Sequence, residues 1–240
     1  MTQPAITLVL LPGMDGSGAL FADFIRALGD SVVPQVVSYP VDQALDYAGL
    51  TEFARARLPV DRSFVLVGES FSGPVAIALA ASSPPGLAGL ILSCTFARNP
   101  APVFSRFKPL VGLLPIPAFA TSLIAPFLLG ASATDAMRRS LRAAVAQVPA
   151  AVMRQRISSV LEVDKSDLMR TVKMPILYLQ AAQDRVVRPS AARLLAALAP
   201  QLQLVQIPGP HLLLQAAPAQ AAHAVQQFLA SLLQGPPRAS

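Results

Sequence analysis

Apolar runs of strand length alternate along the chain with stretches of helical period. The six apolar runs cover residues 6–11, 32–37, 64–67, 87–92, 176–179 and 202–207. The stretches of helical period cover residues 20–28, 44–57, 75–81, 190–198 and 218–233. Strands that alternate with helices predict an α/β fold, with a mostly parallel sheet covered by helices on both faces. Ligands of such sheets bind beyond the carboxyl ends of the strands.

The connection between the fourth and fifth predicted strands is too long for a simple loop. We therefore expect a single domain over residues 1–240 that carries a cap insertion at about residues 98–172. Residues 109–134 contain no charged side chain and are long enough for a transmembrane helix, which is an alternative to a cap. Pro115, Pro117 and Pro126 interrupt this stretch and favour short cap helices over an apolar cleft. Such a cap could still contact a lipid surface.

Composition narrows the function classes. The 19 Lys and Arg residues exceed the 13 Asp and Glu residues, which gives a net charge of +6, but they are scattered, so nucleic-acid binding is not expected. Cys94 is the only cysteine, which excludes an internal disulfide and a multi-cysteine metal site. No metal or other cofactor is expected. The first residues lack the features of a secretory signal, so a cytoplasmic location is expected.

Residues 65–74, VLVGESFSGP, contain the strongest candidate for chemistry. They read as a buried strand that ends in a sharp turn and opens a helix, with Ser70 at the turn. This layout is typical of a nucleophile elbow, which needs small residues two places on either side of the serine, here Gly68 and Ser72. The usual pattern has glycine at the second place, whereas this chain has Ser72 followed by Gly73. The alternative is an ordinary Gly-Ser turn.

A serine nucleophile needs a base within hydrogen-bond reach and an acid that orients the base. His211 follows the last predicted strand among turn residues, whereas His223 lies within a predicted helix, so His211 is the candidate base. Asp184 follows the fifth predicted strand and is the candidate acid. The alternatives are a surface histidine and an aspartate that pairs with Arg185 or caps the next turn.

Acyl transfer also needs backbone amides that stabilise the oxyanion. The amide of Phe71 directly follows the candidate nucleophile, and the loop after the first predicted strand, LPGMDGSG, offers the amide of Met14. Gly13, Gly16 and Gly18 allow this loop to bend its amides inward. The alternatives are a glycine-rich turn without a partner and a phosphate loop, although the lysine of a Walker motif is missing.

These motifs together resemble the α/β-hydrolase superfamily over nearly the whole chain apart from the cap. LPGMDGSG, GESFSGP, AAQDRVV and GPHLLLQ are similar to the oxyanion, elbow, acid and histidine segments of a branch that includes bacterial esterases and plant plastid esterase/acyltransferases. The resemblance implies an α/β-hydrolase fold with Ser70 as nucleophile, Asp184 as acid and His211 as base. It also implies Met14 and Phe71 as the donors of the oxyanion amides.

Two departures and the cap refine this expectation. Ser72 stands in place of glycine, and Pro12 stands where many relatives carry histidine. The cap contains four phenylalanines, Phe104, Phe107, Phe119 and Phe127. Such a cap suits an acyl chain, so we expect a serine carboxylesterase that forms an acyl-enzyme on Ser70 with a small-molecule ester or lipid. The alternatives are an acyltransferase or acyl-thioesterase with the same triad, and a non-catalytic lipid- or ligand-binding module.

Overall fold

Six parallel strands form the central sheet. The computed structural model describes residues 6–103, 105–106, 111, 120–131 and 133–234. The strands are β1 (Ile6–Leu11), β2 (Val32–Val36), β3 (Phe64–Glu69), β4 (Leu87–Ser93), β5 (Ile176–Ala181) and β6 (Leu202–Ile207). They lie in the order β2-β1-β3-β4-β5-β6, and every neighbouring pair is parallel. The six predicted strands and their parallel arrangement are therefore confirmed.

Helices cover both faces of this sheet, as the sequence predicts. One face packs against α1 (Ala22–Leu28), α9 (Leu213–Ala216) and α10 (Pro218–Gln234). The other face packs against α2 (Tyr47–Arg55), α3 (Gly73–Ala81) and α8 (Pro189–Leu198). Both layers are apolar because strand residues alternate between the two faces. In β3, Phe64 and Leu66 enter one core, whereas Val65 and Val67 enter the other.

The long connection between β4 and β5 carries four further helices in its described part. They are α4 (Ala120–Leu129), α5 (Asp135–Ala146), α6 (Ala150–Glu162) and α7 (Ser166–Thr171). Helices α4 and α5 share a small core of Ala125, Leu129 and Leu141, which also contacts Leu212 of the sheet domain. Helix α7 packs against α3 and α8. The connection therefore begins and ends at the sheet, and its middle helices cover the carboxyl ends of the strands.

The uncharged stretch at residues 109–134 is described only in part. Its described portion contains the ten-residue helix α4, with Pro126 inside it. Within the described residues, no helix is long and apolar enough to cross a membrane. Pro115, Pro117, Phe104, Phe107 and Phe119 lie outside the described residues.

Candidate active site

The turn after β3 holds the candidate nucleophile. Ser70 directly follows β3 and begins a 3-10 turn, Ser70–Ser72, that leads into α3. Its φ of +48° lies in the left-handed region, which is strained for a residue with a side chain. The hydroxyl of Thr95 donates a hydrogen bond to the carbonyl of Ser70 and so supports this conformation. The predicted strand-turn-helix layout is therefore present.

Crowding explains the two glycines of the turn. A Cβ added to Gly68 would lie 2.7 Å from the Cβ of Ala76, because β3 and α3 approach closely there. A Cβ added to Gly73 would overlap the side chain of Thr95. The close approach of β3 and α3 therefore requires glycine at position 68, and the contact with Thr95 in the loop after β4 requires it at position 73.

Ser72 contributes hydrogen bonds as well as a small volume. This residue is fully buried, and its Oγ donates to the carbonyl of Pro12 in the loop after β1. The same Oγ lies 2.6 Å from the hydroxyl of Tyr39. Serine in place of the usual glycine therefore ties the turn after β3 to the loop after β1.

The structure brings Ser70, His211 and Asp184 together. The Oγ of Ser70 lies 2.8 Å from Nε2 of His211. Nδ1 of His211 lies 2.9 and 3.0 Å from the two carboxylate oxygens of Asp184. The side chains of His211 and Asp184 are only 2% and 5% exposed. This is the geometry that a base-activated serine requires.

Asp184 also caps the turn after β5. Its Oδ1 accepts hydrogen bonds from the amides of Val186 and Val187, both at 2.8 Å. The capping role considered as an alternative therefore coexists with the contact to His211, and it fixes the carboxylate. A carboxylate at Nδ1 places the proton there, which leaves Nε2 free to accept the hydroxyl proton of Ser70. His223, in contrast, is exposed on α10.

The loop after β1 forms a tight turn beside Ser70. The amide of Gly16 donates to the carbonyl of Gly13 at 3.0 Å, which makes Met14 and Asp15 the central residues of the turn. Met14 and Ser70 line the same cavity. The backbone of Phe71 is also held, because its carbonyl accepts a 3.0 Å hydrogen bond from the hydroxyl of Tyr47. The two candidate amide donors thus lie in two fixed turns.

Comparison with known proteins identifies the family of this chain. A family model described as the alpha/beta hydrolase family matches residues 8–224. The chain belongs to this family. An esterase from Thermogutta terrifontis has a TM-score of 0.79 at 22% identity, with 96% of this chain and 92% of that chain covered. A lipase-esterase related protein from Clostridium acetobutylicum has a TM-score of 0.78 at 12% identity, with 94% and 95% covered. At such low identity, these two likenesses show the fold alone.

One curated plant protein is also similar in sequence to this alpha/beta hydrolase. Phytyl ester synthase 1 of the Arabidopsis thaliana chloroplast is 35% identical over 120 residues. The match covers 48% of this chain and 16% of the plant protein. The hydrolase thus corresponds to a small part of that protein's length.

A carboxyl group lies buried next to Ser70. Glu69 is 2% exposed, and its Oε1 accepts a 3.0 Å hydrogen bond from the side-chain amide of Gln215. The pKa of Glu69 is raised to about 8, mainly by burial and also by the nearby charge of Asp15, while the hydrogen bond from Gln215 opposes the shift. The sequence places Glu69 in the elbow, but its burial depends on the packing of distant segments.

A mostly apolar cavity of about 430 Å³ opens above Ser70 and His211 in the hydrolase. Side chains of α4, α5 and α6 line it, namely Ile124, Phe127, Leu128, Leu141, Val145 and Met153. Ile124 and Phe127 are also 48% and 53% exposed, so α4 forms part of the rim. Of the four phenylalanines expected around the cleft, Phe127 is the one within the described residues. The volume falls within the range of about 300–1,000 Å³ that is usual for small-molecule sites.

Arg156 is a further residue at this site that pattern analysis missed. It lies on α6, is only 1% exposed, and donates from Nη1 to the carbonyl of Met14 at 2.8 Å. The sequence offers no signal for it, because one arginine among the many of a basic chain looks like a surface residue.

Proposed function

We propose that this protein is a serine hydrolase that cleaves carboxylic esters through an acyl-enzyme on Ser70. The observation that carries the proposal is the 2.8 Å approach of Ser70 Oγ to His211 Nε2 at the base of the apolar cavity. A histidine oriented by a buried carboxylate can remove the serine proton as the serine attacks. Membership of the alpha/beta hydrolase family supports the same reaction class.

The proposed reaction has two halves. In the first, Oγ of Ser70 attacks the ester carbon and its proton passes to Nε2 of His211, which then protonates the departing alcohol. In the second, water loses a proton to His211 and attacks the acyl carbon. The bond from this carbon to Oγ then breaks, and His211 returns the proton to Oγ, which releases the acid and restores Ser70. Asp184 stabilises the protonated histidine in both halves.

Both halves place negative charge on the former carbonyl oxygen. We assign its stabilisation to the amides of Met14 and Phe71, from the loop after β1 and from the turn after β3. Each such donor is worth about 3 kcal/mol of barrier in comparable enzymes. The hydrogen bonds at Gly13 and at the carbonyl of Phe71 hold both turns before substrate binds.

The cavity lining supports an apolar acyl or alcohol group as the part of the substrate that binds there. Six apolar side chains of the cap helices surround the space above Ser70, and the exposed rim at Ile124 and Phe127 allows a long chain to extend outward. Burial of a chain against these side chains contributes about 0.8 kcal/mol per methylene. We therefore expect longer acyl chains to lower KM until the cavity is filled.

The deciding experiment is hydrolysis of p-nitrophenyl esters from acetate to palmitate by the wild type and by Ser70→Ala. We expect the variant to lose activity on every ester, with Ser190→Ala, a change at an exposed serine on α8, as the matched control. Intact-mass analysis after treatment with a fluorophosphonate should show one adduct on the wild type and none on Ser70→Ala. Equal activity of wild type and Ser70→Ala would refute the proposed nucleophile, and an inert wild type would favour the non-catalytic binding module.

Acyl transfer to an alcohol is the second candidate function. The similarity to a phytyl ester synthase supports it, because the same acyl-enzyme can be attacked by an alcohol in place of water. With a long-chain acyl donor and phytol present, a transferase would form the phytyl ester faster than the free acid. Release of free acid alone would support the hydrolase, and an acyl-thioester donor would test the thioesterase alternative in the same assay.

We also propose a weak peripheral contact between α4 and a lipid surface. Leu123, Ile124 and Phe127 are 66%, 48% and 53% exposed, and two of them line the cavity above Ser70. A lipid that enters from such a surface would reach the cavity without crossing water. The net charge of +6 favours anionic membranes.

A further inference from the structure

Arg156 reaches the oxyanion turn from the cap. Its guanidinium donates to the carbonyl of Met14 at 2.8 Å and to the carbonyl of Pro40 at 3.3 Å. The guanidinium carbon also lies 5.9 Å from the centroid of the Tyr39 ring. An arginine that is 1% exposed is costly to bury, and its hydrogen bonds to two backbone carbonyls and the nearby charge of Asp15 offset part of that cost.

The carbonyl that Arg156 contacts belongs to the central peptide of the turn. In a turn closed by the Gly16 amide and the Gly13 carbonyl, the central peptide between Met14 and Asp15 is the one that can flip between turn types. A flip would swing the Met14 carbonyl away and alter the backbone at Met14. The hydrogen bond from Arg156 opposes that flip.

A second contact restrains the other end of the same loop. Ser72 donates to the carbonyl of Pro12, and Gly16 packs directly against the guanidinium, since a Cβ there would lie 2.6 Å from Nη1 of Arg156. The peptide that carries the Met14 amide therefore lies between two anchored carbonyls. One anchor comes from the turn after β3, and the other comes from cap helix α6.

We propose that Arg156 is a positioning residue, which holds the Met14 carbonyl and thereby fixes the backbone at Met14, so that the Met14 N–H in the adjoining Gly13–Met14 peptide faces the oxyanion. The residue acts through the backbone of Met14 and has no contact with substrate in this mechanism. The inference rests on the proposed function, because it assigns a role within the same oxyanion site. It also couples the cap to catalysis, since α6 carries the arginine.

The first test compares kcat and KM for p-nitrophenyl butyrate in Arg156→Met and Arg156→Lys. Misplacement of a catalytic group by about 1 Å can cost about 100-fold in rate, so we expect kcat to fall about 10- to 100-fold in Arg156→Met. KM should change little. Arg156→Lys keeps the positive charge and one hydrogen-bonding group, so its kcat should lie between those of the wild type and Arg156→Met. Arg139→Met, a change at an exposed arginine of α5, is the matched control and should retain wild-type kcat.

The second test separates positioning from general stability. Oγ of Ser70 adds to the carbonyl carbon of a trifluoromethyl ketone, and the serine proton moves to His211. The π electrons of the carbonyl move onto its oxygen, which becomes an oxyanion. The matched methyl ketone binds the cavity mainly without this addition. We expect the inhibition constant of the trifluoromethyl ketone to rise in parallel with the loss of kcat, and that of the methyl ketone to stay unchanged.

Several results would overturn the inference. Unchanged kcat in both variants would do so, and so would equal weakening of the two ketones, which would indicate general distortion of the cavity. If Arg156→Met does not fold, Arg156→Lys and Arg156→Gln carry the same comparison. Loss of activity in Ser70→Ala is independent of these results, so failure of the proposed function is recognised separately.

Discussion

The two histidines of the chain lie in opposite environments. His211 is 2% exposed between Ser70 and Asp184, whereas His223 is exposed on α10. Removal of a catalytic base costs several orders of magnitude in related triads, so His211→Ala should lower kcat by about 10⁴-fold or more. His223→Ala should leave kcat within about twofold of the wild type.

The measurement is kcat for a short p-nitrophenyl ester, with thermal unfolding of each variant to confirm a folded protein. His223→Ala is the matched control, because it makes the same change at a surface position. Comparable losses in both variants would contradict the assignment of His211 as the base.

The raised pKa of Glu69 predicts that the stability of the fold depends on pH. Its pKa of about 8 in the fold exceeds the ordinary value of 4.5, so between these values the folded state holds a proton that the unfolded state has released. The stabilising effect of this proton is complete below pH about 4.5 and is lost as pH rises through about 8. The free energy of unfolding should therefore fall with rising pH in this window, by up to about 1.4 kcal/mol per pH unit.

Glu69→Gln tests this expectation because glutamine has nearly the same shape and does not titrate. Urea unfolding of both proteins at several pH values from 5 to about 9 should show a flatter profile for the variant, with its advantage over the wild type largest at the alkaline end. Parallel profiles would mean that Glu69 is ionised throughout the range and that burial does not control its proton.

At the scale of elements, the packing of α3 against β3 and against the loop after β4 determines the turn that carries Ser70. Gly73→Ala would place a methyl group into the side chain of Thr95, so we expect a loss of about 1–3 kcal/mol in the free energy of unfolding. Thr95→Ala in the same background removes two of the three crowded atoms and should restore part of that loss. Urea unfolding of the two single variants and the double variant measures this coupling.

Additive effects of the two substitutions would contradict this explanation of the glycine. Thr95→Ala alone should also reduce activity, because it removes the hydrogen bond that supports the strained backbone of Ser70. Its kcat on a short ester is therefore measured beside its stability.

The elements of the sheet domain could be predicted because their signals are local. The run at residues 64–67 is apolar at every position, as expected for a strand buried on both faces, and the structure has β3 over Phe64–Glu69. The predicted positions of helix ends are less accurate. The second helix was expected at residues 44–57 but spans Tyr47–Arg55, because the side chain of Asp46 accepts from the Gly49 amide and caps the first turn.

At the scale of the whole molecule, some site residues could be predicted from local sequence signals and others could not. Ser70, Asp184 and His211 each follow a predicted strand, so topology alone predicts that they lie at one edge of the sheet. Arg156 could not be found, because its partner carbonyl at Met14 lies 142 residues away in the chain and nothing in the local pattern marks it as buried. Non-local contacts of this kind become visible only in the folded structure.

The exposed face of α4 gives a prediction for the molecule as a whole. If Leu123, which is 66% exposed, inserts into a lipid surface, Leu123→Asp should weaken cosedimentation with phosphatidylglycerol vesicles. Hydrolysis of soluble p-nitrophenyl acetate should stay unchanged, because this side chain is not part of the described cavity lining. Activity on an emulsified long-chain ester should fall together with vesicle binding.

Val60→Asp provides the matched control for this surface. Val60 is 92% exposed and lies just before β3, at the amino ends of the strands and thus on the side of the sheet away from Ser70. The same charge there should leave vesicle binding unaltered, whereas a loss equal to that of Leu123→Asp would indicate a general effect of net charge. Equal binding of both variants and the wild type to phosphatidylglycerol vesicles would instead exclude α4 as the contact surface. The contrast between Leu123→Asp and Val60→Asp therefore tests whether the rim of the cavity is also the surface that contacts lipid.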